Sequence, residues 1–95
     1  MITIKITSHS IRMSGHAGMN SNGGVDRVSA AVSALTCNLI NSLRDLAGDR
    51  ICAETVSGMA VIEWSDLSDA GKLLVDSWFL GMADIADEYN CITFT

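Results

Sequence analysis

"VDRVSAAVSALTCNLINSLRDLAG", Val25 to Gly48, is the stretch on which the fold turns. Asp26 reads as a helix N-cap, because its short carboxylate can accept hydrogen bonds from the unpaired amides of a first turn. Val28, Val32, Leu35, Leu39, Leu43 and Leu46 then recur at helical spacing and define one apolar stripe. Gly48 is a natural stop, since glycine takes the left-handed conformation that ends many helices. The other side carries Ser29, Ala30, Ser33 and Cys37, all small. Another backbone can approach such a face closely, from within the molecule or from a second copy.

Working outward, Ile2, Ile4 and Ile6 alternate with Thr3, Lys5 and Thr7, the period-two pattern of a half-buried strand. "HSIRMSG" supplies a second strand after a turn near Ser8 to Ser10, with Ile11 and Met13 on one face. Gly15 to Val25 has no periodicity and is rich in Gly, Asn and Ser, which predicts a surface loop. "RICAETVSGMAVIEW" reads as a hairpin turning at Ser57-Gly58. Ser65 or Ser68 caps a second helix with Asp66 and Asp69 in its first turn, near the positive end of its dipole. Its buried stripe is Leu67, Leu74, Trp78, Met82, Ile85 and Tyr89; Asn90 ends it, and "CITFT" closes as a short strand. The expectation is an α+β, two-layer fold in ββαββαβ order, a mixed β-sheet with two helices packed on one face. Periodicity leaves the strand order open.

Ninety-five residues with 48% hydrophobic and 18% charged side chains suit one small globular domain, 1–95. The net charge is −5 and unevenly spread: residues 54–95 hold one basic and eight acidic side chains. That balance argues against direct nucleic-acid binding and suits a basic protein or peptide partner. No apolar run approaches the ~20 residues that span a bilayer, and the N-terminus lacks the pattern of a signal peptide. A cytoplasmic protein, without membrane attachment, is expected. Cys37, Cys52 and Cys91 are odd in number and widely spaced, offering neither a disulfide framework nor zinc-ligand spacing. They read as buried, reduced thiols, and no metal or cofactor is expected. Met59, Trp78 and Met82 read as core, and His9 as a solvated turn residue.

The chemistry concentrates on two places. His16 lies in a glycine-rich run, "SGHAGMNSNGG", and residue 29 falls in the first turn of the helix behind Asp26. A cysteine at 29 would have its thiolate stabilised by the helix dipole and by a nearby imidazolium. The first-turn amides could also steady the oxyanion formed when a peptide carbonyl is attacked. These are the physical parts of a cysteine protease, with serine at the place of the sulfur.

The paired segments "GHA" and "DRVSAAVS", with the loop between them, resemble the ribosomal-processing cysteine protease family called Prp or YsxB-like. Gly15, His16 and Ala17 match its first motif; Asp26, Val28, Ala30, Ala31 and Ser33 match its second, where Ser29 takes the place of the family's cysteine. The similarity extends from "MITIKI" to "GMADIADEYN". The resemblance implies an endopeptidase that removes the N-terminal extension of a large-subunit ribosomal protein, the one numbered twenty-seven. By carry-over His16 is the general base, Ser29 stands at the nucleophile and Asp26 supports them, while Gly15, Ala17, Ala30 and Ser33 border the substrate. Homodimers are implied as well. A serine hydroxyl is far less acidic than a thiol, so little or no proteolysis is expected, whether the replacement was introduced or is natural. The other reading is a non-catalytic protein of the same fold that binds ribosomal-protein precursors or aids ribosome assembly.

Overall fold

The structure, a computed structural model, describes residues 1–18 and 26–95. The chain runs β1 (Ile2–Ile6), β2 (Ser10–Ser14), α1 (Arg27–Asp45), β3 (Cys52–Val56), β4 (Met59–Glu63), α2 (Asp69–Tyr89) and β5 (Ile92–Phe94). This is the ββαββαβ order that the periodicity predicts. The strands form one mixed sheet in the order β3-β4-β2-β1-β5. Neighbours are antiparallel except β1 and β5, which are parallel.

Alternation within each strand sets the two faces of the sheet. Ile4, Met13 and Ala60 lie in one cross-strand row, and Ile11 and Ile62 in the next; all are buried. Lys5, Arg12 and Glu63 point to the opposite, open face, where Arg12 and Glu63 form an exposed ion pair of 3.6 Å. Such a pair contributes little. Both helices cover the apolar face, α1 through Val28, Val32, Leu39, Ile40 and Leu43, α2 through Trp78 and Met82.

The apolar stripes differ in detail from their sequence reading. In α1 the line of burial passes through Thr36 and Ile40, while Leu35 is 41% and Leu46 79% exposed. Leu35 flanks the stripe and leans on Gly81 of α2; Leu46 is the C-cap, already past the end of the helix. Thr36 enters the core because its polarity is satisfied: its hydroxyl donates to the Val32 carbonyl (2.7 Å) and accepts the Trp78 indole N–H (3.1 Å). In α2, Tyr89, expected in the buried stripe, is exposed, and Met59, expected in the core, is exposed at the start of β4.

Caps define the helix ends. Asp26 caps α1, and Ser68, one of the two expected candidates, caps α2 by accepting Gly71 N–H at 3.0 Å. Asp69 therefore lies in the first turn, whereas Asp66 precedes the cap. Asp49 reinforces this end by accepting both the Ser68 amide (3.1 Å) and its hydroxyl (3.0 Å). After α1 the chain turns at Gly48 (φ 69°), and Asn90 ends α2 in the left-handed region (φ 50°).

The cysteines are not uniformly buried. Cys91 is buried, but Cys37 and Cys52 are exposed. Cys52 sits on β3, an edge strand, opposite Glu63 on the open face of the sheet. Cys37 lies on the small face of α1, beside Ser33 and outside the buried stripe.

Candidate active site

The site grows from the start of α1. Asp26 holds an extended backbone (φ −86°, ψ 92°), which aims its carboxylate back over the first turn. One oxygen, Oδ1, accepts the Ser29 amide at 2.9 Å. The other, Oδ2, accepts the Ser29 hydroxyl at 2.7 Å and the Gly18 amide at 3.0 Å. Ser29 Oγ in turn accepts the Ala17 amide at 2.9 Å. The cap Asp26 and Ser29 of the first turn thus fasten the segment that carries His16. Of the first-turn amides, Ser29 N–H is bonded to Asp26 Oδ1 and Ala30 N–H makes the ordinary helical bond to the Asp26 carbonyl. Only the first of these two bonds comes from the Asp26 side chain acting as a cap.

His16 is held from two further directions. The Met1 ammonium donates to the His16 carbonyl at 2.6 Å. Gly15 N–H donates to the carbonyl of Gly58, in the β3–β4 turn, at 2.8 Å. This contact follows from sheet register, since Ser14 of β2 pairs with Met59 of β4 and brings that turn alongside the end of β2. Gly15 has φ +99°, and a side chain there would run into the Met1 carbonyl, so the motif position admits glycine alone. The expected loop from Gly15 onward continues into residues 19–25, and that part of it, with any ordering on substrate, lies outside the described residues.

Between the first turns of α1, the end of β2 and the β3–β4 turn lies a cavity of about 230 Å³. His16 and Ser29 both line it, as do Gly15, Ala30 and Ser33. Ala17 is buried behind it and reaches the site through its amide, and Asp26 stands outside the lining. The small face of α1 (Ser29, Ala30, Ser33, Cys37) therefore forms the side of a cleft rather than a surface packed by another backbone. Sequence reading did not assign Thr36, Met13 or Gly58 to this cleft. The last two arrive through strand pairing, which leaves no local signal.

The arrangement brings an exposed imidazole and a hydroxyl at a helix N-terminus to one cleft. Among the described residues the imidazole and the Ser29 hydroxyl are not hydrogen-bonded to each other, the hydroxyl proton going to Asp26. Catalytic hydrogen bonds commonly tighten only when substrate is bound. No group of three or more His, Cys, Asp and Glu among the described residues is arranged to hold a metal. Among them, too, no helix is long and apolar enough to cross a membrane.

Comparison with known proteins places this geometry. The ribosomal processing protease Prp from S. aureus, in complex with a covalently linked product peptide, has a similar structure: TM-score 0.86 and 26% identity, over 100% of this chain and 98% of that one. The same S. aureus protease in complex with a substrate peptide matches with TM-score 0.77 and 25% identity, over 100% and 98% of the two chains. SMU.848 from Streptococcus mutans matches with TM-score 0.76 and 28% identity, over 99% and 90%. No curated protein sequence matches the chain. The family model for cysteine protease Prp matches residues 1–92, and the chain belongs to that family.

Proposed function

We propose that this member of the ribosomal processing protease family is built to cut a basic N-terminal extension from a large-subunit ribosomal protein, the one numbered twenty-seven. In this reading position 29 is the nucleophile's place, His16 the general base and Asp26 the residue that fixes both. Gly15, Ala17, Ala30 and Ser33 border the substrate. The observation that supports it most is the shared cleft, with His16 and Ser29 on its wall and Asp26 and Ala17 bonded to Ser29 from behind. The acidic half of the chain, residues 54–95, suits a basic substrate. A cytoplasmic homodimer goes with the reading.

The serine makes the chain a binder of its substrate rather than a catalyst. Cysteine is about a few per cent thiolate at neutral pH even when unperturbed, whereas the serine hydroxyl is far less acidic and commits its proton to a carboxylate instead of an imidazole. The same hydrogen bond favours a second reading, in which the protein binds precursors or assists ribosome assembly without cutting. One experiment separates the two. Ser29→Cys is incubated with a peptide spanning the family's cleavage site. Cleavage that appears with the thiol and disappears when His16→Ala is added supports the protease; peptide binding without cleavage in every variant supports the binder.

A further inference from the structure

We propose that Gly58, in the turn between β3 and β4, is a positioning residue for His16, an inference that rests on the protease reading above. A Cβ built on Gly58 would stand 2.8 Å from His16 Nε2 and 3.4 Å from both Cδ2 and Cε1. The tip of the imidazole therefore occupies the space that only a residue without a side chain leaves. The same glycine holds the backbone next door, because its carbonyl accepts the Gly15 amide at 2.8 Å. His16 is otherwise exposed, and an exposed imidazole exchanges rotamers freely. A wall at the tip of the ring removes part of that freedom before substrate arrives, and displacement of a catalytic group by 1 Å can cost about 100-fold in rate.

Turn geometry alone does not call for glycine here. Gly58 has φ +77°, a conformation strained for most side chains but one that asparagine tolerates better than the rest. What asparagine cannot do is leave room for the ring. The two demands on residue 58 can therefore be separated.

The test uses the Ser29→Cys chain and the cleavage-site peptide, with Gly58→Asn added. The turn is retained while a side chain enters the space of the imidazole. The expected result is a fall in kcat of about tenfold or more with KM changed less than about threefold, and a displaced acid limb in the pH–rate profile. An unchanged kcat and an unchanged profile overturn the proposal. A second measurement on the chain with Ser29 in place covers the case in which Gly58→Asn does not fold. The Gly58 amide resonance is followed through the titration of His16, with His16→Ala as control. A Gly58 shift that tracks the imidazole and vanishes in His16→Ala supports the seat; a flat Gly58 resonance overturns it. If Ser29→Cys cuts nothing, the protease reading fails, and the resonance still decides whether Gly58 seats the ring.

Discussion

The Ser29 hydroxyl gives its proton to Asp26 Oδ2 across 2.7 Å and takes the Ala17 amide across 2.9 Å. Residue 29 is thereby the knot between the helix start and the segment that carries the imidazole. Asp26 also accepts Ser29 N–H and Gly18 N–H, so it serves helix and loop together. Replacing it removes a cap and a tether at once. Asp26→Ala should lose about 0.5–2 kcal/mol for the cap alone. In a domain of this size each kcal/mol lowers the melting temperature by about 4–8 °C. Thermal unfolding checks this, and an unchanged midpoint would refute it.

A carboxylate this close to residue 29 also has an electrostatic consequence for a thiol installed there. The helix dipole and the Ala17 amide favour a thiolate, whereas Asp26 opposes it as a like charge. In the Ser29→Cys background, Asp26→Asn should therefore lower the thiol pKa. Thiolate absorbance against pH reads the sign directly; an upward shift would mean that Asp26 acts chiefly by orienting the imidazole.

Gly15 is constrained by its φ of +99° and by the Met1 carbonyl that fills the space beside it. Gly15→Ala should cost on the order of 1–3 kcal/mol in backbone strain, more than the ~0.4–1 kcal/mol returned by a stiffer unfolded chain. Urea denaturation measures the balance, and a net stabilisation would contradict it.

Thr36 and Trp78 form a polar contact inside the core, the threonine 2% and the tryptophan 4% exposed. Thr36→Val leaves the indole N–H without its acceptor and should destabilise the fold by about 1–3 kcal/mol. Thr36→Ser keeps the hydroxyl and should recover part of that loss. Equal stability of the two variants would show that the hydroxyl contributes nothing.

The three thiols should separate by reactivity. Cys37 and Cys52 are exposed and should modify quickly with a disulfide reagent, whereas Cys91, 3% exposed, should react only as the protein unfolds. Counting modified thiols before and after denaturant checks the assignment.

What could be seen in the sequence was local. Strand alternation, the Asp26 cap, the Ser57-Gly58 turn and the stop at Asn90 are short-range effects and stand in the structure where the residues put them. His16 and residue 29 are distant in sequence, and it is the resemblance of the "GHA" and "DRVSAAVS" segments, not local patterning, that joins them in the reading of the sequence. The far wall of the cleft was not legible. Gly58 reaches Gly15 through the pairing of β2 with β4, and nothing within either strand announces its neighbour. Thr36 escaped notice because apolar patterning passes over a polar residue whose partner, Trp78, is 42 positions away. Cys37 and Cys52 depart from the expected burial because a small apolar side chain is buried only where another layer covers it, and neither the cleft face of α1 nor the open face of β3 is covered.

The parallel partnership of β1 with β5 carries a consequence for synthesis. A nascent chain that has emerged only as far as Asn90 lacks β5, so β1, with its three isoleucines, forms the rim of a four-stranded sheet. Along that rim Ile2 N–H is without the Cys91 carbonyl, and the Ile4 carbonyl is without the Thr95 amide. Rims of this kind recruit other extended chains. Arrival of β5 covers that rim with a strand of only three residues, so the long isoleucine-bearing edge gives way to a short one.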